Sequence, residues 1–370
     1  ESDSRETAWL ERGIALKRAG ESEKAITTLT EFAAAFPDSE RRLRALLEAG
    51  LTAAVLQDVD RAVKLLTQVI EEADDGPDLA HALYQRSRVR FATARYEDAI
   101  RDAWTFIERY GHLPMAADVY FWLGDHYANE GDLQEAERYF RELYTKQPKA
   151  ELAPRALYEA AHLRFQQENP DGALDLLREL RTQFSELAPP LEVDVEILHG
   201  DLLAAKGAFA DALAHFRAAH LAAPASANGL AAAGRCGDML LALEREDDDE
   251  SLEKAIEYFD LVASAEAVSP PQRERAIYRK AKTYERLGNT DAAIAEYLDI
   301  VYRYDIDLIE GKVRDWFYFA RAGYDAARLL TLQGKHRLAA RTYERLAASK
   351  IPLASEAAAR AQEIREKHEL

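Results

Sequence analysis

Residues Ala117–Ala150, ADVYFWLGDHYANEGDLQEAERYFRELYTKQPKA, decide the fold of this chain. Two segments of helical period flank Glu130-Gly131-Asp132-Leu133, where glycine supplies the left-handed backbone that ends a helix. Gly124 lies twelve positions before Ala136. A small residue on each helix lets the two axes approach, so a constant offset between them fixes where the helices cross. The stretch therefore reads as one helix pair.

The same word recurs along the chain. Gly13 with Ala25, Gly50 with Ala62, Ser87 with Ala99, Ala161 with Ala173, Gly200 with Ala212, Ala281 with Ala293 and Ala327 with Ala339 share the spacing. Gly237 with Ala255 is stretched to eighteen positions by the acidic insertion Glu246–Ser251. The alanines fall 37, 37, 37, 37, 39, 43, 38 and 46 residues apart. Such a fixed period is the signature of a repeat array, whose units bury their apolar faces on one another. Four positions past most of these alanines stands a large apolar residue (Leu29, Leu66, Phe140, Leu177, Phe216, Phe259, Tyr297 or Tyr343), on the same helical face and so in the core. Ala103, beside Trp104, is the exception.

This pattern resembles the tetratricopeptide repeat (TPR) family over residues 6–352. Tyr120, Leu123, Gly124, Tyr127, Gly131, Ala136, Phe140 and Pro148 follow the family's order in the fourth unit, and Trp9, Gly13, Gly20, Ala25 and Pro37 in the first. The resemblance implies an all-α, right-handed superhelical solenoid of about nine helix pairs with no domain boundary. The units lie near 6–42, 43–79, 80–116, 117–153, 154–192, 193–229, 230–270, 271–308 and 312–352, and a capping helix follows at 354–370. The period exceeds the family's usual 34 residues while the twelve-residue offset is kept, so the extra residues are expected in the turns between units. That longer style, with Phe36-Pro37-Asp38-Ser39 and Trp122-Leu123-Gly124-Asp125, is similar to repeats of bacterial envelope proteins, namely the Tol-Pal-associated protein and the outer-membrane assembly lipoprotein. It implies a component of an envelope complex, periplasmic, with a cytoplasmic location as the alternative.

Composition narrows function. The chain has 370 residues, 48% of them hydrophobic, and a net charge of -18. A nucleic-acid surface is not expected on so acidic a protein. No run is long and apolar enough for a transmembrane segment, and a soluble chain is expected. It begins at Glu1, consistent with a removed leader or a larger parent protein. The lone Cys236 excludes an internal disulfide. Zinc-protease, phosphate-loop and nucleophile-elbow motifs are missing, so neither an enzyme nor a metal or cofactor is expected. The nine histidines are scattered, and the acidic run Asp247–Glu250 lacks the ligand spacing of a calcium loop.

Charge is uneven along the chain. Residues 275–346 carry 14 basic and 10 acidic side chains, a local +4 against -22 for the rest. In the TPR family the first helix of each pair lines the concave surface, and its offsets place Arg275, Tyr278, Arg279, Lys282, Arg286, Arg321, Tyr324 and Arg328 there. Arginines between tyrosines suit a carboxylate-rich peptide; the competing reading is a stripe neutralised by neighbouring acids. As a groove, these cations should lack acidic partners from their own chain. Arg275 and Arg279 match part of the family's carboxylate clamp, whereas the partner positions two units earlier are Ile197 and Asp201. In the fourth unit Phe121 and Trp122 form either an aromatic anchor or an internal contact. Trp316, Phe317, Tyr318 and Phe319 cover every side of one helical turn, so at least one should face outward unless another element covers it.

The expected function is a non-catalytic scaffold that holds a protein or peptide segment, acidic in character, on its concave surface. The alternative is a peptide-sensing regulator that changes superhelix shape when its ligand binds.

Overall fold

The structure, a computed structural model, describes residues 2–243, 249–311, 316–349 and 351–370. Nineteen helices and no strand occur among them. The chain is described as two compact units, Glu1–Asn169 and Pro170–Leu370. The division falls between the two helices of the fifth repeat.

Unit 1 contains α1 (Ser2–Arg18), α2 (Ser22–Ala35), α3 (Arg42–Val55), α4 (Val59–Glu72), α5 (Pro77–Ala92), α6 (Tyr96–Tyr110), α7 (Ala116–Asn129), α8 (Leu133–Lys146) and α9 (Ala153–Gln166). Unit 2 contains α10 (Pro170–Gln183), α11 (Pro189–Ala205), α12 (Phe209–Ala222), α13 (Ala227–Leu243), α14 (Asp249–Ser264), α15 (Pro270–Arg286), α16 (Thr290–Ile309), α17 (Trp316–Leu332), α18 (His336–Ala348) and α19 (Ala354–Lys367). Within a unit, odd- and even-numbered helices alternate as the first and second members of successive pairs, and α19 follows the last pair. Ala357 and Ala361 of α19 are buried in the core that also takes in α18.

Each pair crosses where a small residue meets a large one. A Cβ on Gly124 would stand 2.8 Å from Cε1 and Cζ of Phe140, and one on Gly200 2.6 Å from Phe216. Gly13 faces Leu29, Gly50 faces Leu66 and Gly237 faces Phe259 in the same way. The small residue of the first helix thus receives the large residue of the second, four positions past the repeat alanine. The third pair departs from this scheme. Asp102, 4% exposed, accepts from Arg86 through both carboxylate oxygens (2.8 and 2.6 Å) and from Arg90 (2.6 Å). Trp104, beside Ala103, turns outward and donates to the Tyr139 hydroxyl at 2.7 Å.

The turn inside a pair keeps one geometry. Gly20, Gly131, Gly207, Gly288 and Gly334 have φ of 79°, 83°, 77°, 72° and 72°. Gln57, Ala94 and Glu168 occupy the equivalent place with φ of 61°, 58° and 59°. The turn after a pair is longer than the turn inside it at residues 36–41 and 147–152 against 19–21 and 130–132. The two long sequence intervals extend helices: Asp249, Glu250 and Ser251 form the first turn of α14, and α16 runs 20 residues. Glu246–Asp248 and Lys312 lie outside the described residues.

Phe319 is fully buried and stacks on Tyr304 with ring centroids 3.9 Å apart, while Tyr318 packs 5.6 Å from Tyr278. Trp316 and Phe317 are exposed. The aromatic run therefore divides between packing and surface.

Candidate protein-interaction surface

Unit 2 presents the basic residues on two first helices. Arg275, Arg279, Lys282 and Arg286 follow one face of α15; Arg321, Tyr324 and Arg328 follow one face of α17. Tyr278, Arg279, Lys282, Arg286 and Arg321 converge on one cavity of ≈ 280 Å³, completed by Leu241 and Tyr318. Among the described residues four cations line it and no acid does. Arg275, Tyr324 and Arg328 stand outside this cavity. Leu241 and Tyr318 could not be singled out from sequence, because Leu241 is one of many leucines and Tyr318 lies in the aromatic run.

The expectation that these cations lack partners is corrected. Arg275 and Arg279 both reach Asp238 of α13, at 3.1 Å each. Lys282 donates to Glu285 at 3.0 Å and to Asp325 at 3.1 Å, and Arg328 pairs with Glu285 and Asp325. Carboxylates one repeat away lie within reach of long side chains whose helices are neighbours, a proximity that sequence separations of 37 and 43 residues conceal. Arg286 donates to the Leu241 carbonyl at 3.4 Å. Arg321 alone in the stripe has neither ion pair nor hydrogen bond among the described residues. Its guanidinium lies over the rings of Tyr278 (5.4 Å) and Phe317 (5.1 Å). Exposed contacts of this kind are weak, so the side chain keeps its donors for a ligand.

The surrounding groups hold their charges. Burial pushes the Glu285 carboxyl upward, but donors from Tyr297, Arg328 and Lys282 outweigh it and hold the pKa below the ordinary range. Burial, then the Asp325 acceptor, pushes Tyr278 upward, so its hydroxyl stays protonated and donates to Asp325 at 2.9 Å. Tyr324 donates to the Leu353 carbonyl at 3.2 Å and meets Tyr343 edge-on. These contacts fix the cavity walls before any ligand arrives. Of the clamp partner positions, Asp201 is paired with Arg235 at 2.8 Å.

Phe121 and Trp122 belong to unit 1 and part company. Trp122 stacks on Tyr84 and Phe91 of α5, with centroids 5.8 and 5.9 Å away, and Phe121 packs edge-on against Phe140 at 5.2 Å. Both rings make internal contacts yet stay half-buried, and Trp122 also walls a shallow groove with Leu51, Val55, Val89 and Phe91.

One cluster escaped the sequence reading. His199 and His215 stack with centroids 4.0 Å apart, and His215 contacts Glu196 at 2.7 Å. Burial, then the neighbouring His215, lowers His199 to about 4. Their separation of sixteen equals that of Gly124 and Phe140, which is the signal that finds them. Cys236 is buried and burial raises its thiol to about 12, so it is no nucleophile at neutral pH. No three or more His, Cys, Asp or Glu gather to hold a metal among the described residues. No helix there is long and apolar enough to cross a membrane.

Within each unit, stacked helix pairs with side-chain cavities between first helices have the architecture of an α-solenoid. Family comparison agrees: a tetratricopeptide repeat-like domain matches residues 77–233, and tetratricopeptide repeats match residues 10–77 and 274–304. The chain belongs to the tetratricopeptide repeat family. That family is in general a non-catalytic protein-interaction fold. No curated protein matched.

The chain is similar in part to several solved structures. A tetratricopeptide repeat protein from Parabacteroides merdae is 12% identical with a TM-score of 0.46, the alignment covering 70% of this chain and 91% of that one. BtubC from P. vanneervenii is 15% identical with a TM-score of 0.45, covering 65% and 90%. YrrB, described as a TPR protein with an unusual peptide-binding site, is 19% identical with a TM-score of 0.41, covering 54% and 92%.

Proposed function

We propose that the protein is a scaffold that holds an acidic protein segment at the cationic cavity between α15 and α17. The observation that carries this is the convergence of Arg279, Lys282, Arg286 and Arg321 on one cavity with no acid in its lining among the described residues. The partnered cations are pre-oriented by their carboxylates, which lowers the entropy lost on binding. Arg321 has no carboxylate partner among the described residues. The -22 carried by the rest of the chain disfavours an acidic segment elsewhere, so association is guided here and is faster at low salt. The repeat style supports a bacterial envelope complex and a periplasmic location, which cell fractionation tests.

The experiment is charge reversal, Arg279→Glu with Arg321→Glu, read by fluorescence anisotropy of a labelled peptide of alternating Glu and Ser. Arg279 leaves Asp238 to Arg275, so no carboxylate is stranded. Loss of peptide binding with unchanged helicity and melting temperature is expected. Equal binding by parent and variant refutes the proposal. Unfolding of the variant marks the arginines as structural and also refutes it.

A further inference from the structure

A second cavity adjoins the first. It has a volume of ≈ 320 Å³, lies between α13 and α15, and shares Arg279 with the cationic cavity. Leu230, Phe259, Val262, Val268 and Ala276 supply buried apolar walls, while Arg275 and Arg279 stand at the rim with Asp238. α13 lines it with Leu230, Arg235 and Asp238 and with three small residues, Ala227, Ala231 and Gly234, which leave the space between them. Gly234 is unlike the helix-crossing glycines. A Cβ there would meet only Val262 Cγ2, at 3.9 Å, whereas at Gly237, three residues on, it would meet Phe259 at 2.7 Å. Gly237 is required by the packing of its own chain; Gly234, in the interior of a helix that glycine weakens, is not. Gly234 lines the cavity, and a Cβ there would have room.

We infer that this cavity seats one bulky apolar side chain of the bound acidic segment, next to the carboxylates that the neighbouring cavity takes. The inference rests on the proposed function and specifies its ligand: an acidic stretch interrupted by a leucine or aromatic residue. Charge complementarity at the mouth selects such an occupant, because Arg275 and Arg279 share the single carboxylate of Asp238 and leave one positive charge over. Arg235 and Gln272 also line the space, so hydrocarbon is favoured only on the side formed by Leu230, Phe259, Val262, Val268 and Ala276. Arg279, common to both cavities, sets the register between the apolar residue and the acids.

The test uses two labelled peptides of Glu and Ser that differ only in a central Leu or Ala, titrated against the full chain. Two variants fill the cavity from α13: Gly234→Leu, where the added Cβ has room, and Ala231→Leu. The parent is expected to bind the Leu peptide about tenfold or more tightly than the Ala peptide. The folded filled variants should bind both peptides with the affinity of the parent for the Ala peptide. Equal affinity of the parent for both peptides, with both lost on Arg279→Glu and Arg321→Glu, overturns this inference and leaves the acidic-segment scaffold standing. A Leu preference that survives in the filled variants also overturns it. Failure of the parent to bind either peptide overturns both readings.

Discussion

Replacing Gly124 and Gly234 with alanine, one at a time, asks whether packing or propensity rules each site. Both glycines lie inside helices, where alanine is favoured by about 1 kcal/mol. At Gly124 the new Cβ falls 2.8 Å from two ring atoms of Phe140 and 2.9 Å from a third. That ring is 2% exposed and its edge is held by Phe121, so it has little space to yield. Overpacking of this kind costs roughly 1–3 kcal/mol, which leaves a net loss of about 1 kcal/mol. At Gly234 the Cβ stands 3.9 Å from its nearest neighbour, and the propensity gain of about 1 kcal/mol survives whole. The two substitutions should differ by about 2 kcal/mol, or about thirtyfold in an equilibrium constant. Repeat arrays open piecewise, so native-state hydrogen exchange on α7 and α13 is the appropriate assay. Protection should fall in α7 for Gly124→Ala and rise in α13 for Gly234→Ala. Equal gains in both helices would refute the argument that the crossing requires a missing Cβ.

Two further outcomes are expected. His199 has a folded-state pKa of about 4 against an ordinary 6.5, lowered by burial and then by His215, while Glu196 opposes the shift. Between those values the unfolded chain binds a proton that the folded chain does not, so stability rises with pH across the window and is lost as pH falls through it. His199→Gln should remove an acid-induced loss on the order of 1–2 kcal/mol, checked by urea unfolding of parent and variant at neutral and mildly acidic pH; equal losses would exclude His199 as the cause. Ala94, with φ of 58°, holds a left-handed turn without being glycine, and Ala94→Gly should stabilise the third pair by about 1 kcal/mol, read as protection in α5 and α6.

The sequence determined the repeat. Small residues and alanines at a constant offset name the crossing of each pair, and the glycines at 20, 131, 207, 288 and 334 name its turn. Both signals are local, since one helix pair spans fewer than forty residues and its geometry follows from side-chain size and backbone freedom. The basic face of α15 and α17 was legible for the same reason, as a helical period shows which side chains share a side. Gln57, Ala94 and Glu168 were not legible, because each holds a left-handed turn that its side chain disfavours, closed by backbone hydrogen bonds from Asp58, Arg95 and Asn169 to the preceding helix. Tertiary structure alone decided what meets across pairs. Asp238, Glu285 and Asp325 lie next to the cations, His199 on His215 and Asp102 between two arginines, and the cavity beside Gly234 stays open. Contacts between neighbouring helices depend on how far each long side chain reaches and on the volume left by small ones. These are properties of two surfaces together, and neither segment states them alone.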